Sequence, residues 1–279
     1  MAKIVQSTGD ISVFSWDSNS LLAVFKNVKL KIAADKADTS PATMFGKRRQ
    51  TVKRYAEITT GIMSPLSGDA TLMASNLAVT AFSIGDTDYI DYLMSWSING
   101  TFDTREVSGQ GSAFKKPQHE GKDYSCSVTL TIPLGGTPSA LRNLSAAMLD
   151  ADLVDQDLDR VAVGPTIDGV PITIPMTIDD ITWSGDEKTE QTVVISFSGN
   201  CPTSGDYPTA PTGTTTLLEQ FFNDVNTVQA ISLTTHATEG VNYAGNFLPG
   251  PFTIKGNDAE VNIIDLSWIS QGAVTPSNN

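Results

Sequence analysis

The sequence predicts a mainly β protein with one flanking α-helix, and three observations carry that expectation. Asn27-Val-Lys-Leu-Lys-Ile alternates Val28, Leu30 and Ile32 with Lys29 and Lys31, the two-residue period of a strand with one buried face. Comparable runs recur at Val79 to Ile84, Tyr92 to Ile98, Ser125 to Ile132, Val170 to Ile174, Ile178 to Trp183, Thr192 to Phe197, Val228 to Thr234 and Val261 to Ile269. Most are rich in Thr, Val and Ile and are bounded by Gly, Pro, Asn or Asp, which suit turns better than ladders.

The helix is predicted from Pro138 to Leu149. Thr137 is placed to cap it and Pro138 to occupy its first turn, while Leu141, Leu144, Met148 and Leu149 share one face suited to packing on a sheet. Thr215 to Val225 spaces Leu217, Leu218, Phe221, Phe222 and Val225 in the same way, and Asp69 to Asn76 is compatible with a further short helix. Pro202 to Thr215 concentrates Pro and Gly and denies both helix and ladder, so a linker is placed at 202–214. Pro276-Ser-Asn-Asn reads as a frayed tail. The division that follows is 1–76 as an N-terminal strand and arm region, 77–201 as the core, and 215–279 as a C-terminal extension or the second half of the core.

All four tryptophans follow Ser or Thr in strand-like settings: Ser15-Trp16, Ser95-Trp96, Thr182-Trp183 and Ser267-Trp268. Duplication of a strand-turn-strand unit would leave such an echo, and so would amphipathic strands by chance.

The 279 residues, 40% of them hydrophobic, suffice for one large core or two smaller ones. The formal charge is −13, distributed unevenly. Residues 1–57 hold 10 of the 18 Lys and Arg against 5 acids, leaving 8 bases against 26 acids in the rest. An acidic body disfavours general binding to nucleic-acid backbones, which takes clustered cations. No run of apolar residues has the length of a secretory signal or a membrane-spanning helix. Cys126 and Cys201 lack CxxC spacing, so reduced thiols are expected, with a disulfide as the alternative.

Residues able to run a reaction do not converge. His119 and His236 have no His or Cys at metal-ligand spacing. Asp86-Thr-Asp-Tyr-Ile-Asp lacks the central Gly and closing Glu of a calcium loop, and the acidic run Leu149 to Asp159 reads as a solvated face. Ser108-Gly-Gln-Gly-Ser is followed by neither a helix nor Lys-Ser/Thr, which argues against a phosphate loop, and no Gly-x-Ser-x-Gly elbow occurs. No enzyme, cofactor or metal is therefore expected.

Two segments read instead as contacts between subunits. Gly46 to Tyr55 gathers Lys47, Arg48, Arg49, Lys53 and Arg54, which suit acidic surface on a neighbouring copy better than nucleic acid. The polar loop Val107 to Lys122 carries Phe114, Lys115, Lys116 and His119, the last read as a solvated or interface histidine. Its glycines and Pro117 give it little reason to order alone.

From Leu77 to Asn200 the chain resembles the tail tube proteins of long-tailed bacteriophages. The similarity runs through Trp96-Ser-Ile-Asn-Gly, the long loop, Tyr124-Ser-Cys-Ser-Val-Thr-Leu-Thr-Ile, the helix, and the closing hairpin Met176 to Asn200 with its Ser184-Gly185 turn. The resemblance implies a β-sandwich or half-barrel with a flanking helix, here with N- and C-terminal extensions. It implies a virion component, made in the host cytoplasm, whose copies form six-membered rings that stack into a DNA-conducting tube. The extensions leave open a ring of six chains or of three chains with duplicated domains. The partners implied are further copies of the chain, other tail proteins, and DNA that passes without specific binding; no membrane is involved. A tail terminator or baseplate protein is the nearest alternative, and an extracellular carbohydrate-binding β-sandwich a more distant one.

Overall fold

The computed structural model describes residues 11–17, 19–21, 25–40, 47–62, 77–109, 111–132, 139–149, 161–167, 170–185, 191–201, 217–222, 226–236, 240–257 and 260–278. The linker 202–214, the helical stretch 69–76, Thr137 and Pro138, and the acidic run 150–159 lie outside these residues.

Four strands open the chain: β1 (Val13–Trp16), β2 (Asn19–Ser20), β3 (Phe25–Asp38) and β4 (Arg49–Ile62). Four more follow: β5 (Leu77–Ile84), β6 (Thr87–Asp88), β7 (Leu93–Glu106) and β8 (Pro117–Thr131). Helix α1 (Ser139–Leu149) precedes β9 (Val161–Ile167), β10 (Val170–Pro171), β11 (Ile174–Ser184) and β12 (Thr192–Gly199). Helix α2 (Leu217–Phe222) precedes β13 (Gln229–Thr234), β14 (Val241–Pro249), β15 (Phe252–Asn257) and β16 (Glu260–Asn278). The protein is mainly β, and its strands form one antiparallel sheet in the order β2-β1-β13-β14-β16-β15-β7-β8-β12-β11-β9-β5-β6, with the β3–β4 hairpin attached to β16.

This order is one unit written twice. In the inner unit the neighbours run β7-β8-β12-β11-β9-β5, and in the outer unit β3-β4-β16-β14-β13-β1. The register matches residue for residue. Ser15 pairs with Ser20 and Trp16 with Asn19; Ser83 pairs with Asp88 and Ile84 with Thr87, each position 68 further on (83 − 15). The long hairpins keep that offset, and so do their bulges, at Phe25/Asn27 and Asp35/Lys36 in one and Leu93/Ser95 and Asp103/Thr104 in the other. The residue that follows β1 in one unit and β5 in the other adopts the same backbone, Asp17 at φ 44° and Gly85 at φ 61°, the left-handed region that glycine enters without strain. In the last two strands the offset becomes 71: Met176 faces Gly199 as Phe247 faces Ser270 (247 − 176). There β14 and β15 together play the part of β11, and the interruption at Gly250-Pro251 falls where β11 bulges between Ile178 and Asp180.

The tryptophans therefore do not mark the repeat. Trp16 corresponds to Ile84, Trp96 to Val28, Trp183 to Ile254 and Trp268 to Phe197, so no tryptophan is the counterpart of another. Their spacing is a coincidence of amphipathic strands. The pairings also tie strands of segment 1–76 to strands of segment 215–279, through β1 with β13 and β4 with β16.

One hydrophobic cluster draws on both units, from Phe14 and Trp16 through Ile98, Val128 and Ile195 to Phe252 and Trp268. Alternation puts these residues inward: in β8, Tyr124, Cys126, Val128 and Leu130 are all buried. Helix α1 departs from its expected packing, since Leu141 is buried while Met148 is exposed and Leu149 is 87% exposed. Its first two turns meet the core, through Leu141 and the half-buried Leu144. Pro276 is no frayed tail, because Tyr243 of β14 pairs with it and extends β16 to Asn278.

Candidate self-assembly surface

From Arg49 on, the basic segment lies in β4, which pairs alongside β3 from Asp38↔Arg49 to Phe25↔Ile62. Alternation then divides it: Ala56, Ile58 and Thr60 face the core, while Tyr55, Glu57 and Thr59 face out. Lys47, Arg48, Arg49 and Arg54 are exposed. Lys53 is half-buried, with Glu106 at 3.7 Å and Ser108 Oγ and carbonyl as acceptors. Lys31 on β3 meets Glu57 directly opposite at 2.6 Å, and that hydrogen bond and charge hold its ammonium above its ordinary pKa.

The polar loop is shorter and better held than its composition suggests. Strand β8 begins at Pro117, leaving residues 107–116 to connect the hairpin. Arg54 N–H donates to the Ala113 carbonyl and Lys115 N–H to that of Arg54, both at 3.0 Å, while Gly272 N–H donates to Lys115 O at 2.8 Å. The loop thus lies against β4 and β16 of its own chain. Lys115 Nζ binds Asp35 at 2.8 Å and sits 4.2 Å from the centre of the Tyr55 ring. Phe114 is half-buried beside Arg54, bordering an apolar hollow of about 300 Å³ that Ile32, Tyr243 and Val274 also line. Lys116 is exposed, although its N–H donates to Glu106. Burial would raise the Glu106 pKa, but hydrogen bonds from Ser108 and Lys116 and the charge of Lys53 outweigh it and hold the carboxylate low.

His119 is buried, which overturns its reading as a solvated or interface side chain. Its Nε2 lies 2.6 Å from the Pro249 carbonyl, an acceptor only, so Nε2 carries the proton and Nδ1 accepts from Thr104 Oγ1 at 3.0 Å. Its backbone exchanges two hydrogen bonds with the Asn226 amide, and its ring lies 4.8 Å from that of Phe102. Burial, aided by the Lys122 charge, lowers its pKa against the opposing bond to Pro249. Both cysteines are reduced, and burial pushes the Cys126 thiol up to about 12. Among the described residues no group of three His, Cys, Asp or Glu is placed to hold a metal ion, and no helix is long and apolar enough to cross a membrane.

The feature that residue-by-residue reading missed is a pair of strand edges. Inside the chain, β15 of the outer unit pairs with β7 of the inner unit, sealing the two together at Phe252↔Gly100, Thr253↔Asn99, Ile254↔Ile98 and Lys255↔Ser97. The counterpart of β7 is β3, whose far edge meets no strand among the described residues. The counterpart of β15 is the second half of β11, where pairing to β9 stops at Met176 and Ile178 to Ser184 have an open edge among the described residues. The edges carry exposed apolar side chains: Ile32 is 62% and Trp183 41% exposed. Both lie in runs that alternate, and only the repeat reveals that they sit at edges whose counterparts in the other unit are paired.

No family model matches this chain, and neither does any curated protein or solved structure.

Proposed function

We propose that this protein is a structural component of a virion, the major tail tube protein of a long-tailed bacteriophage, whose rings stack into a tube that conducts DNA. One observation carries the proposal: the chain already contains two like units joined edge to edge, and each end of this pair presents the edge that the other end lacks. A repeated, directional contact of this kind makes rings when its rotation closes and filaments when it does not. The segment that resembles tail tube proteins, Leu77 to Asn200, coincides with the inner unit, β5 to β12. A six-membered ring then comprises three chains of two units each.

The charge of −13 suits such a conduit. Carboxylates repel DNA phosphates over roughly 10 Å at moderate salt, so a genome passes an acidic bore without the many attachments a basic one would make. Negative-stain imaging of the purified protein tests the proposal: rings or tubes of uniform bore are expected. Rings that never stack would favour a terminator or baseplate role, and particles no larger than a single chain would contradict ring formation altogether.

A further inference from the structure

We infer that the outer edge of β3 in one copy pairs antiparallel with Ile178–Ser184 of β11 in the next, and that the internal β7–β15 junction fixes the register. The inference deepens the ring-forming proposal by naming the surface and its occupant, a second copy of this chain. Transferring the junction by the offsets of 68 and 71 places Ile32 opposite Ile181, Lys31 opposite Thr182, Leu30 opposite Trp183 and Lys29 opposite Ser184.

Three properties of these residues fit that register. The first is burial. At the internal junction Ile98 and Ile254 are fully buried and Phe252 is 3% exposed, whereas their counterparts Leu30, Trp183 and Ile181 are only half-buried or exposed. Pairing would cover these apolar groups.

The second is shape. A Cβ on Gly100 would lie 2.1 Å from the Phe252 ring, so the internal junction fits one large side chain against none. The proposed junction sets Ile32 against Ile181, two medium side chains in place of a large one and a hydrogen. Each partner has changed in the direction that the other requires.

The third is polarity. On the opposite face Thr253 Oγ1 donates to Asn99 Oδ1 at 2.8 Å, and their counterparts are Thr182 and Lys31, with Lys29 beside them. Asp180, two residues from Thr182 on the same exposed face, would lie diagonal to Lys31, adding a carboxylate beside the Glu57 that this lysine already holds. Lysines also protect an edge strand from pairing at all, which is the competing role the experiment must separate.

The experiment mixes two versions of the full chain, both carrying Cys201→Ser: one with Lys31→Cys, the other with Thr182→Cys. Directly opposed residues of antiparallel strands lie within disulfide reach, and buried Cys126 stays inert. A second mixture, Ile32→Cys with Ile181→Cys, covers the alternate hydrogen-bonding class of pair. Under mild oxidation at least one mixture should give a 1:1 cross-linked dimer on a non-reducing gel, while Lys36→Cys mixed with Thr182→Cys should give none. Particles that assemble with neither matched mixture cross-linking would overturn this surface and leave ring formation standing. A chain that stays monomeric at every concentration would overturn both.

Discussion

Trp16 Nε1 donates to Gln220 Oε1 at 2.9 Å across 204 positions of sequence, and Trp268 Nε1 approaches the same oxygen at 3.4 Å. Gln220 Nε2 closes the arrangement on the Thr227 carbonyl at 3.1 Å. One buried amide on α2 thus joins β1 to β16, the first and last strands of the outer unit. Gln220→Ala removes the acceptor from two buried indoles and should lower unfolding free energy by about 2 kcal/mol, the usual cost of orphaning buried donors. Chemical denaturation measures it, and an unchanged midpoint would show that the shared acceptor does not hold the unit together.

Because burial lowers the His119 pKa below its ordinary 6.5, the unfolded chain binds a proton that the folded chain resists. Its contribution is fully present above the ordinary value and is lost as pH falls from there toward the lowered one. His119→Gln should therefore be less stable than the parent at neutral pH, with a shallower loss on acidification. Urea midpoints followed down through that window test this, and parallel slopes would exclude His119 as the source.

Filling the space at Gly100 should part the two units. A Gly100→Val side chain would collide with Phe252, and overpacking of this kind costs about 1–3 kcal/mol or more. The loss should be largely restored by Phe252→Ala in the same chain, a coupling that thermal unfolding of the single and double variants will show or refute.

Strand structure was legible because alternation writes it directly: Val79 to Ile84 and Thr192 to Phe197 lie in strands, and the run from Val228 to Thr234 does so from Gln229 on. Strands β4, β9, β14 and β15 were missed, since charged residues crowd the start of β4 and glycine or proline interrupts the other three. The repeat was hidden because few positions keep their residue, among them Phe14 and Phe82, Ser15 and Ser83, and Asp35 and Asp103. Burial constrains size and polarity far more than identity, so register survives where letters do not. His119 was misread for a related reason: its acceptor, Pro249, is 130 positions away and leaves no local mark.

Arg48, Arg49 and Arg54 are exposed on β4 and in the residues leading into it. If they meet acidic surface on a neighbouring copy, replacing all three with Glu should block or misregister assembly while leaving the far-ultraviolet circular dichroism spectrum unchanged. Raised salt should weaken wild-type assembly by screening the same contacts. Normal tubes from the triple variant, altered only in DNA retention, would place the cluster on the bore instead.

If each chain supplies two ring positions, native mass spectrometry of the smallest closed particle will show it in the number of chains. Three chains, three times 29.7 kDa, should form that particle, and larger species should add chains in threes. A smallest ring of six chains, or a single monomeric species at high concentration, would contradict it.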